Sequence, residues 1–174
     1  MINKNQLTER SFTPSQLSGF DGAHSIQLPV DLIPDCTTAD SLQSVLDTIA
    51  YWISHVFDAD RASITLQDTE EYLKLYSISG NHAIPMDFKI PIGQTFVGRV
   101  FAQSQLIICD DLAQSDELDC KMLSEHGMGT CMDAPMIHNG VCIGTLNVAD
   151  QRKYHYTLQR DSFTESSHLV SFEH

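Results

Sequence analysis

Cysteine provides the most reactive side chains of this sequence, because a thiolate can act as a nucleophile or bind a metal ion. The chain contains five: Cys36, Cys109, Cys120, Cys131 and Cys142. An odd number, with no secretion signal at the N-terminus, predicts free thiols rather than a disulfide framework. The last four are spaced eleven residues apart. They fall in different predicted elements, so we interpret this regularity as coincidence.

Four residues that could bind a metal lie close together in the sequence, namely Cys109, Cys120, His126 and Cys131. None of them forms the CxxC or HxxxH pair that is typical of metal sites. We therefore expect no metal site and no catalytic residue, and no cofactor can be named. A redox or iron-linked sensor is an alternative hypothesis, because several cysteines lie near one predicted pocket.

The charge of the chain restricts its partners. The formal net charge is −13, and a surface this acidic repels nucleic acid and anionic lipid. No apolar run approaches the roughly 18 residues that a membrane-spanning helix needs, and the N-terminus lacks the apolar region of a signal peptide. The sequence therefore predicts a soluble cytoplasmic protein that binds neither nucleic acid nor membrane.

The first strong structural signal is an amphipathic helix. Apolar residues recur at helical spacing in Leu42, Val45, Leu46, Ile49, Ile53 and Val56, which predicts a helix ending near Phe57. Thr37 and Asp40 are spaced as a capping box for its start. Residues 1–36 are rich in Pro, Gly, Ser and Thr and predict an extension or linker with one helical turn near Ser15–Leu17.

Further elements follow in a regular order. Alternation of apolar and polar residues over Ala62–Gln67 predicts a strand with one face in water. The other predicted elements are a strand at Tyr72–Ser79, an extended piece at Phe88–Ile92, a helix at Phe96–Gln103 capped by Thr95, a buried strand at Leu106–Cys109, a helix from the cap Ser115 to His126, and a final helix at Tyr156–Phe172.

A β-hairpin is predicted between the last two helices. Its strands are Thr130–His138 and Val141–Ala149, and Asn139-Gly140 between them suits a type I′ turn. A two-residue turn places Ile137 opposite Cys142 and Cys131 opposite Val148, so the two cysteines do not face each other.

The ordered set of segments resembles the GAF domain, a ligand-sensing module of signalling proteins. The resemblance covers about residues 39–172, within a domain predicted at residues 37–172. It is carried by Asp60–Ile64, Ile90–Gly93 with Gly98, Ile108–Asp111, and Ala134-Pro135 with Gly144–Asn147. It is similar to GAF domains that precede bacterial nucleotide cyclases, histidine kinases and diguanylate cyclases. The resemblance implies an α+β, GAF/PAS-like fold with a central antiparallel sheet of five or six strands and helices on both faces.

The resemblance also implies a role. GAF domains commonly bind a small molecule, form homodimers through their terminal helices, and control an output domain or partner protein. We expect a non-catalytic sensory domain of this kind, whose small molecule is unknown. The pocket is expected between the sheet and residues 94–103 and 109–133, and the candidate lining residues are Phe96, Arg99, Cys109, Asp111, Met122, His126, Cys131 and Asp133.

Three alternatives within the family are weaker. The GAF branch of free methionine sulfoxide reductases uses cysteines at positions that here hold Asp87, Val97 and Ser124. The signature of cyclic-nucleotide-binding GAF domains is broken after Asn147, although Arg99 or Lys89 could meet a phosphate. Cys120 lies near the region in which photoreceptor GAF domains attach a bilin, but an ordinary helix cysteine explains it.

An interaction module is the alternative from a different class. In that case the pocket has collapsed, and the domain only dimerises or docks an output. A filled core would favour this alternative over ligand sensing.

Overall fold

One antiparallel sheet organises the part of the chain that the structure, a computed structural model, describes: residues 8–18 and 31–156. The helices are α1 (Pro14–Ser18), α2 (Leu32–Thr38), α3 (Leu42–Val56), α4 (Phe96–Gln103) and α5 (Leu118–Glu125). The strands are β1 (Glu9–Phe12), β2 (Arg61–Gln67), β3 (Tyr72–Gly80), β4 (Lys89–Pro91), β5 (Leu106–Cys109), β6 (Thr130–His138) and β7 (Val141–Asp150).

The described strands lie in the order β1-β5-β6-β7-β2-β3-β4, and every neighbouring pair is antiparallel. The predicted α+β fold class is therefore confirmed. The sheet has seven described strands rather than five or six, because part of the predicted N-terminal extension pairs with β5 as β1. The predicted boundary after residue 36 also falls inside a helix, since α2 spans Leu32–Thr38.

Two helix starts differ from prediction. The cap of α3 is Ser41, whose Oγ accepts a hydrogen bond from the Ser44 amide at 3.1 Å; Thr37 cannot serve because it lies inside α2. Helix α5 begins at Leu118 rather than after Ser115, because a short 3₁₀ turn at Leu112–Gln114 ends at Ser115. The predicted cap of α4 is confirmed, since Thr95 Oγ1 accepts from the Gly98 amide.

The hairpin of β6 and β7 has the predicted turn, with φ angles of 50° at Asn139 and 77° at Gly140. Ile137 lies opposite Cys142, as predicted. A bulge between Met136 and Ile137 then shifts the register by one residue, so Cys131 faces Ala149 and the predicted partner Val148 is wrong. Because paired residues share a face of the sheet, this shift decides which side chains meet on it.

Helices cover both faces of the sheet. On one face, α3 packs on β2 and β3, and the core there includes Ala62, Met132 and Val148. The other face lies under α4 and α5. Ser63 and Thr65 point to that second face and are only 4% and 1% exposed. The prediction that their side of β2 faces water is therefore wrong: it faces the covered interior.

The C-terminal helix predicted over Tyr156–Phe172 lies outside the described residues beyond Tyr156 and stays a prediction. Among the described residues, no helix has the length and apolar character needed to cross a bilayer.

A close backbone contact at Gly98 gives the first testable prediction. A Cβ at position 98 would overlap the backbone of Ile92, whereas one at Gly93 would meet open space. We expect Gly98→Ala to lower the free energy of unfolding by about 1–3 kcal/mol, because backbone atoms must move. The matched variant Gly93→Ala should stay within about 0.5 kcal/mol of the wild type. Urea unfolding measures both, and equal losses would contradict this packing.

Candidate functional site

A small cavity lies between the sheet and the helices α4 and α5. Its volume is about 30 Å³, which is room for about one or two water molecules. Aliphatic side chains form much of its wall, including those of Leu75, Ile84, Ile90, Val97 and Leu123. The polar residues of the wall are Arg61, Ser63, Thr65, Asp119, Asp133 and Asn147.

Three of the polar residues form a row across neighbouring strands. Ser63 on β2 pairs with Asn147 on β7, and Asn147 pairs with Asp133 on β6. Their side chains therefore share the face beneath the cavity. Asn147 Nδ2 donates to Ser63 Oγ at 3.2 Å, while its buried Oδ1 has no hydrogen-bond partner among the described residues.

Arg61 provides a buried positive charge at the edge of the cavity. It is 3% exposed, and its guanidinium donates to the carbonyl oxygens of Asn81 at 2.6 Å and Ile84 at 3.2 Å. Burial lowers the pKa of Arg61 to about 10, and the negative charge of Asp133 opposes that shift. Arg61 therefore stays charged at neutral pH and fixes the connection between β3 and β4 to the cavity wall.

Asp133 carries a buried carboxyl group without a direct partner. It is 5% exposed, and none of the hydrogen bonds or ion pairs within the described residues involves its carboxylate. Burial raises the pKa of Asp133 well above its ordinary value; the charge of Asp119 adds to this shift and that of Arg61 opposes it. Such strongly shifted acids in an enclosed space are typical of functional sites.

Asp119 joins the two helices that cover the cavity. Its carboxylate, at the start of α5, accepts hydrogen bonds from the backbone amides of Phe96 at 2.8 Å and Val97 at 2.9 Å. These amides belong to the first turn of α4, which has no partners for them within the helix. Burial raises the pKa of Asp119, and the bonds from these amides oppose that shift.

Three buried thiols meet beside the cavity. Cys109 and Cys131 are paired across β5 and β6, and the Cys120 thiol on α5 interacts with both. The interaction with the Cys120 thiol, followed by burial, raises the pKa of Cys109, while burial raises that of Cys131. The thiols therefore stay protonated at neutral pH and are poor nucleophiles. Within residues 8–18 and 31–156, no group of three His, Cys, Asp or Glu side chains is arranged to hold a metal ion.

Of the eight predicted lining residues, Cys131 and Asp133 lie in the wall of the cavity. Their role in binding stays a prediction. The other six lie elsewhere. Phe96 and Cys109 belong to the apolar core, Met122 packs against its margin, and His126 is exposed at the end of α5.

The remaining two predicted residues have structural partners. Arg99 forms ion pairs with Glu9 at 2.8 Å and Glu117 at 2.7 Å. Asp111 caps a 3₁₀ turn through the Ala113 amide and pairs with Lys153 at 3.1 Å. Arg99 and the exposed Lys89 of β4, the two cations considered for a phosphate, both lie outside the wall of the cavity.

Sequence reasoning missed five polar residues of the wall: Arg61, Ser63, Thr65, Asp119 and Asn147. Two signals in the sequence pointed to some of them. Strand β2 begins with the charged residue Arg61, and polar residues follow at every second position. This pattern marks one face of β2, on which Arg61 and Ser63 lie.

The comparison with known families and structures agrees with this architecture. The chain matches the GAF domain over residues 41–167 and belongs to the GAF domain family. A comparison with curated proteins finds no match.

Solved GAF structures of low sequence identity share the fold. The GAF domain of a phosphoenolpyruvate-protein phosphotransferase from Coxiella burnetii is 18% identical, with a TM-score of 0.64 and coverage of 74% of this chain and 78% of that one. The GAF domain region of a putative membrane protein from Geobacter sulfurreducens is 23% identical, with a TM-score of 0.57 and coverages of 72% and 85%.

Free methionine-R-sulfoxide reductase from Neisseria meningitidis, solved with its substrate, is also similar. It is 19% identical with a TM-score of 0.61, and the match covers 72% of each chain. At these identities the likeness shows the fold alone, which regulatory domains and reductases share.

The buried carboxyl group gives a pH-dependent prediction. Because its pKa is raised in the folded state, Asp133 contributes stability below its unfolded pKa of about 3.9 and loses that contribution as pH rises toward the folded pKa. The amide introduced by Asp133→Asn cannot titrate. We therefore expect Asp133→Asn to gain stability relative to the wild type from pH 5 to pH 8, by about 1–3 kcal/mol.

Urea unfolding across this pH range measures the difference. Asp116→Asn is the matched control, because it removes the same kind of side chain from an exposed position outside the cavity wall. Parallel pH profiles for the wild type and Asp133→Asn would contradict the prediction.

Proposed function

We propose that this GAF domain is a non-catalytic regulatory domain of the cytoplasm that senses a small molecule in the cavity beneath α4 and α5. The observation that carries the proposal is Oδ1 of Asn147, a buried atom of the cavity wall with no hydrogen-bond partner among the described residues, opposite the Asp133 carboxyl group to which no described residue donates. A buried polar group without a partner costs free energy. An apolar side chain would remove this cost in a domain whose core served packing alone.

The size of the cavity sets how binding would produce a signal. About 30 Å³ accommodates a small head group, so a larger molecule must displace α4 or α5. A ligand that binds the displaced arrangement more tightly shifts the population toward it. The signal would then pass through the terminal helices of a homodimer to an output domain or partner protein.

The reactive residues of the chain support sensing rather than catalysis. The cysteine positions of the reductase branch hold Asp87, Val97 and Ser124. The clustered thiols have raised pKa values, so they supply little thiolate for attack on a sulfoxide.

An interaction module is the second candidate, and two observations favour it. The cavity is small compared with typical ligand pockets of roughly 300–1,000 Å³, and α3 exposes an aromatic group on its outer side. Tyr51 is 49% exposed and lies against His55, with ring centroids 4.3 Å apart. Exposed aromatic residues are enriched at protein interfaces.

Release of small molecules from the purified full-length chain tests the sensing proposal. We expect acid-denatured wild-type protein to release a compound that mass spectrometry identifies. Ala149→Val, which adds two methyl groups in the cavity wall, should retain about tenfold less, since filling the space removes binding.

Ala113→Val is the matched control, because Ala113 is exposed on a surface turn. It should retain as much compound as the wild type. Protein that carries no compound, or equal amounts in both variants, would contradict ligand sensing at this cavity.

The oligomeric state tests the interaction module. If the aromatic group of α3 forms the homodimer contact, Tyr51→Ser should raise the dimer dissociation constant by about tenfold or more, as for an interface hot spot. Analytical ultracentrifugation over a concentration series measures this constant. The control is Tyr154→Ser, because Tyr154 is 57% exposed in a different segment; equal effects of both substitutions would argue against an interface on α3.

A further inference from the structure

We propose that the small molecule enters this cavity through a primary ammonium group, which donates hydrogen bonds to the carboxylate of Asp133 and to Oδ1 of Asn147. The inference rests on the proposed sensing function and adds the chemical class of the ligand, a short alkyl amine.

The cavity wall contains hydrogen-bond acceptors that have no donor within the described part of the chain. Asp133 and Asn147 are paired across β6 and β7. Asn147 Oδ1 is buried without a hydrogen-bond partner among the described residues, and none of them donates to the Asp133 carboxyl group. The nearby donors point elsewhere: Arg61 donates to two carbonyl oxygens, and Asn147 Nδ2 donates to Ser63. A complementary ligand must therefore bring N–H or O–H groups.

The charged groups of the cavity wall also restrict the ligand. Two carboxylates, Asp119 and Asp133, and one cation, Arg61, lie in the wall. Asp119 is bound by the backbone amides of α4, and Arg61 forms no ion pair with Asp133 in the described part of the chain, so it acts on Asp133 only at longer range. When the Asp133 carboxyl group is ionised, a cationic donor would balance the excess negative charge of the wall, and hydrogen bonds to charged groups are the stronger kind.

The size and the aliphatic lining of the cavity restrict the ligand further. An ammonium group is close to a water molecule in size and fits about 30 Å³, while the aliphatic wall of Leu75, Ile90 and Val97 suits a short alkyl chain. A quaternary ammonium has no N–H to donate and is usually bound by an aromatic cage. The wall of this cavity contains no aromatic side chain within the described residues, which favours a primary amine.

Binding must then be linked to the protonation of Asp133. The charged groups that face it are Arg61 on β2 and Asp119 and Glu117 at α5, with the Cys131 thiol beside it on β6. Burial raises the pKa of Asp133, so a proton on its carboxyl group competes with an ammonium group for the same oxygen atoms. The affinity for an amine therefore rises with pH while the amine itself stays protonated.

Isothermal titration of the full chain with ethylammonium and butylammonium chloride, in amine-free buffers, tests the inference. We expect saturable binding that tightens from pH 6 to pH 8 and releases protons, measured as a dependence of the heat on the buffer. Asp133→Asn should weaken binding by about tenfold or more, the effect of losing one charged hydrogen bond. Asp116→Asn should bind like the wild type.

Other results of these experiments would overturn the inference alone or both proposals together. Equal binding of tetramethylammonium or potassium chloride, or an unchanged affinity in Asp133→Asn, would overturn the inference. If no amine binds but the wild type still releases a compound that Ala149→Val does not retain, the ligand class is wrong and the sensing function stands. If no amine binds and no compound is released, both proposals fail.

Discussion

The carboxylate of Asp119 is the contact on which the site depends, because it joins the two helices above the cavity. The first amides of any helix lack partners within it, and the partial positive charge at that end favours an anion. In this chain the anion comes from α5, and the amides of Phe96 and Val97 come from α4. The two helices therefore act as one cover over the polar row of Ser63, Asn147 and Asp133.

The same cover is connected to the edge of the sheet. Arg99 of α4 pairs with Glu117 near α5 and with Glu9 of β1, so a displacement of α4 alters both contacts. Ion pairs that are partly exposed contribute at most about 1 kcal/mol each. Strand β1 has only four residues and one neighbouring strand. The edge strand is thus held more weakly than the centre of the sheet and is coupled directly to the element that a ligand would move.

Local signals in the sequence predicted most elements but not their surroundings. The bounds of helix α4 were predicted correctly, and Thr95 at its start is a recognisable cap. Alternation along β2 gave the period of the strand correctly, yet period alone does not tell whether water or another layer covers the polar face. For that reason Ser63 was assigned to solvent, and the polar row of the cavity was missed. Strand β1 carries no local signal and forms only through its pairing with β5.

The candidate site was harder to predict because it depends on register and on distant charges. The bulge at Met136 brings Asp133 opposite Asn147 instead of Leu146, and no residue pattern in β6 specifies that one-residue shift. Arg99 was expected at the pocket from its position in the fold, but Glu9 and Glu117 hold it outside. The small cavity that remains has two acceptors, Asn147 Oδ1 and the Asp133 carboxyl group, to which no described residue donates. Unpaired acceptors cost free energy, so a ligand that donates hydrogen bonds to them would be favoured over one that cannot.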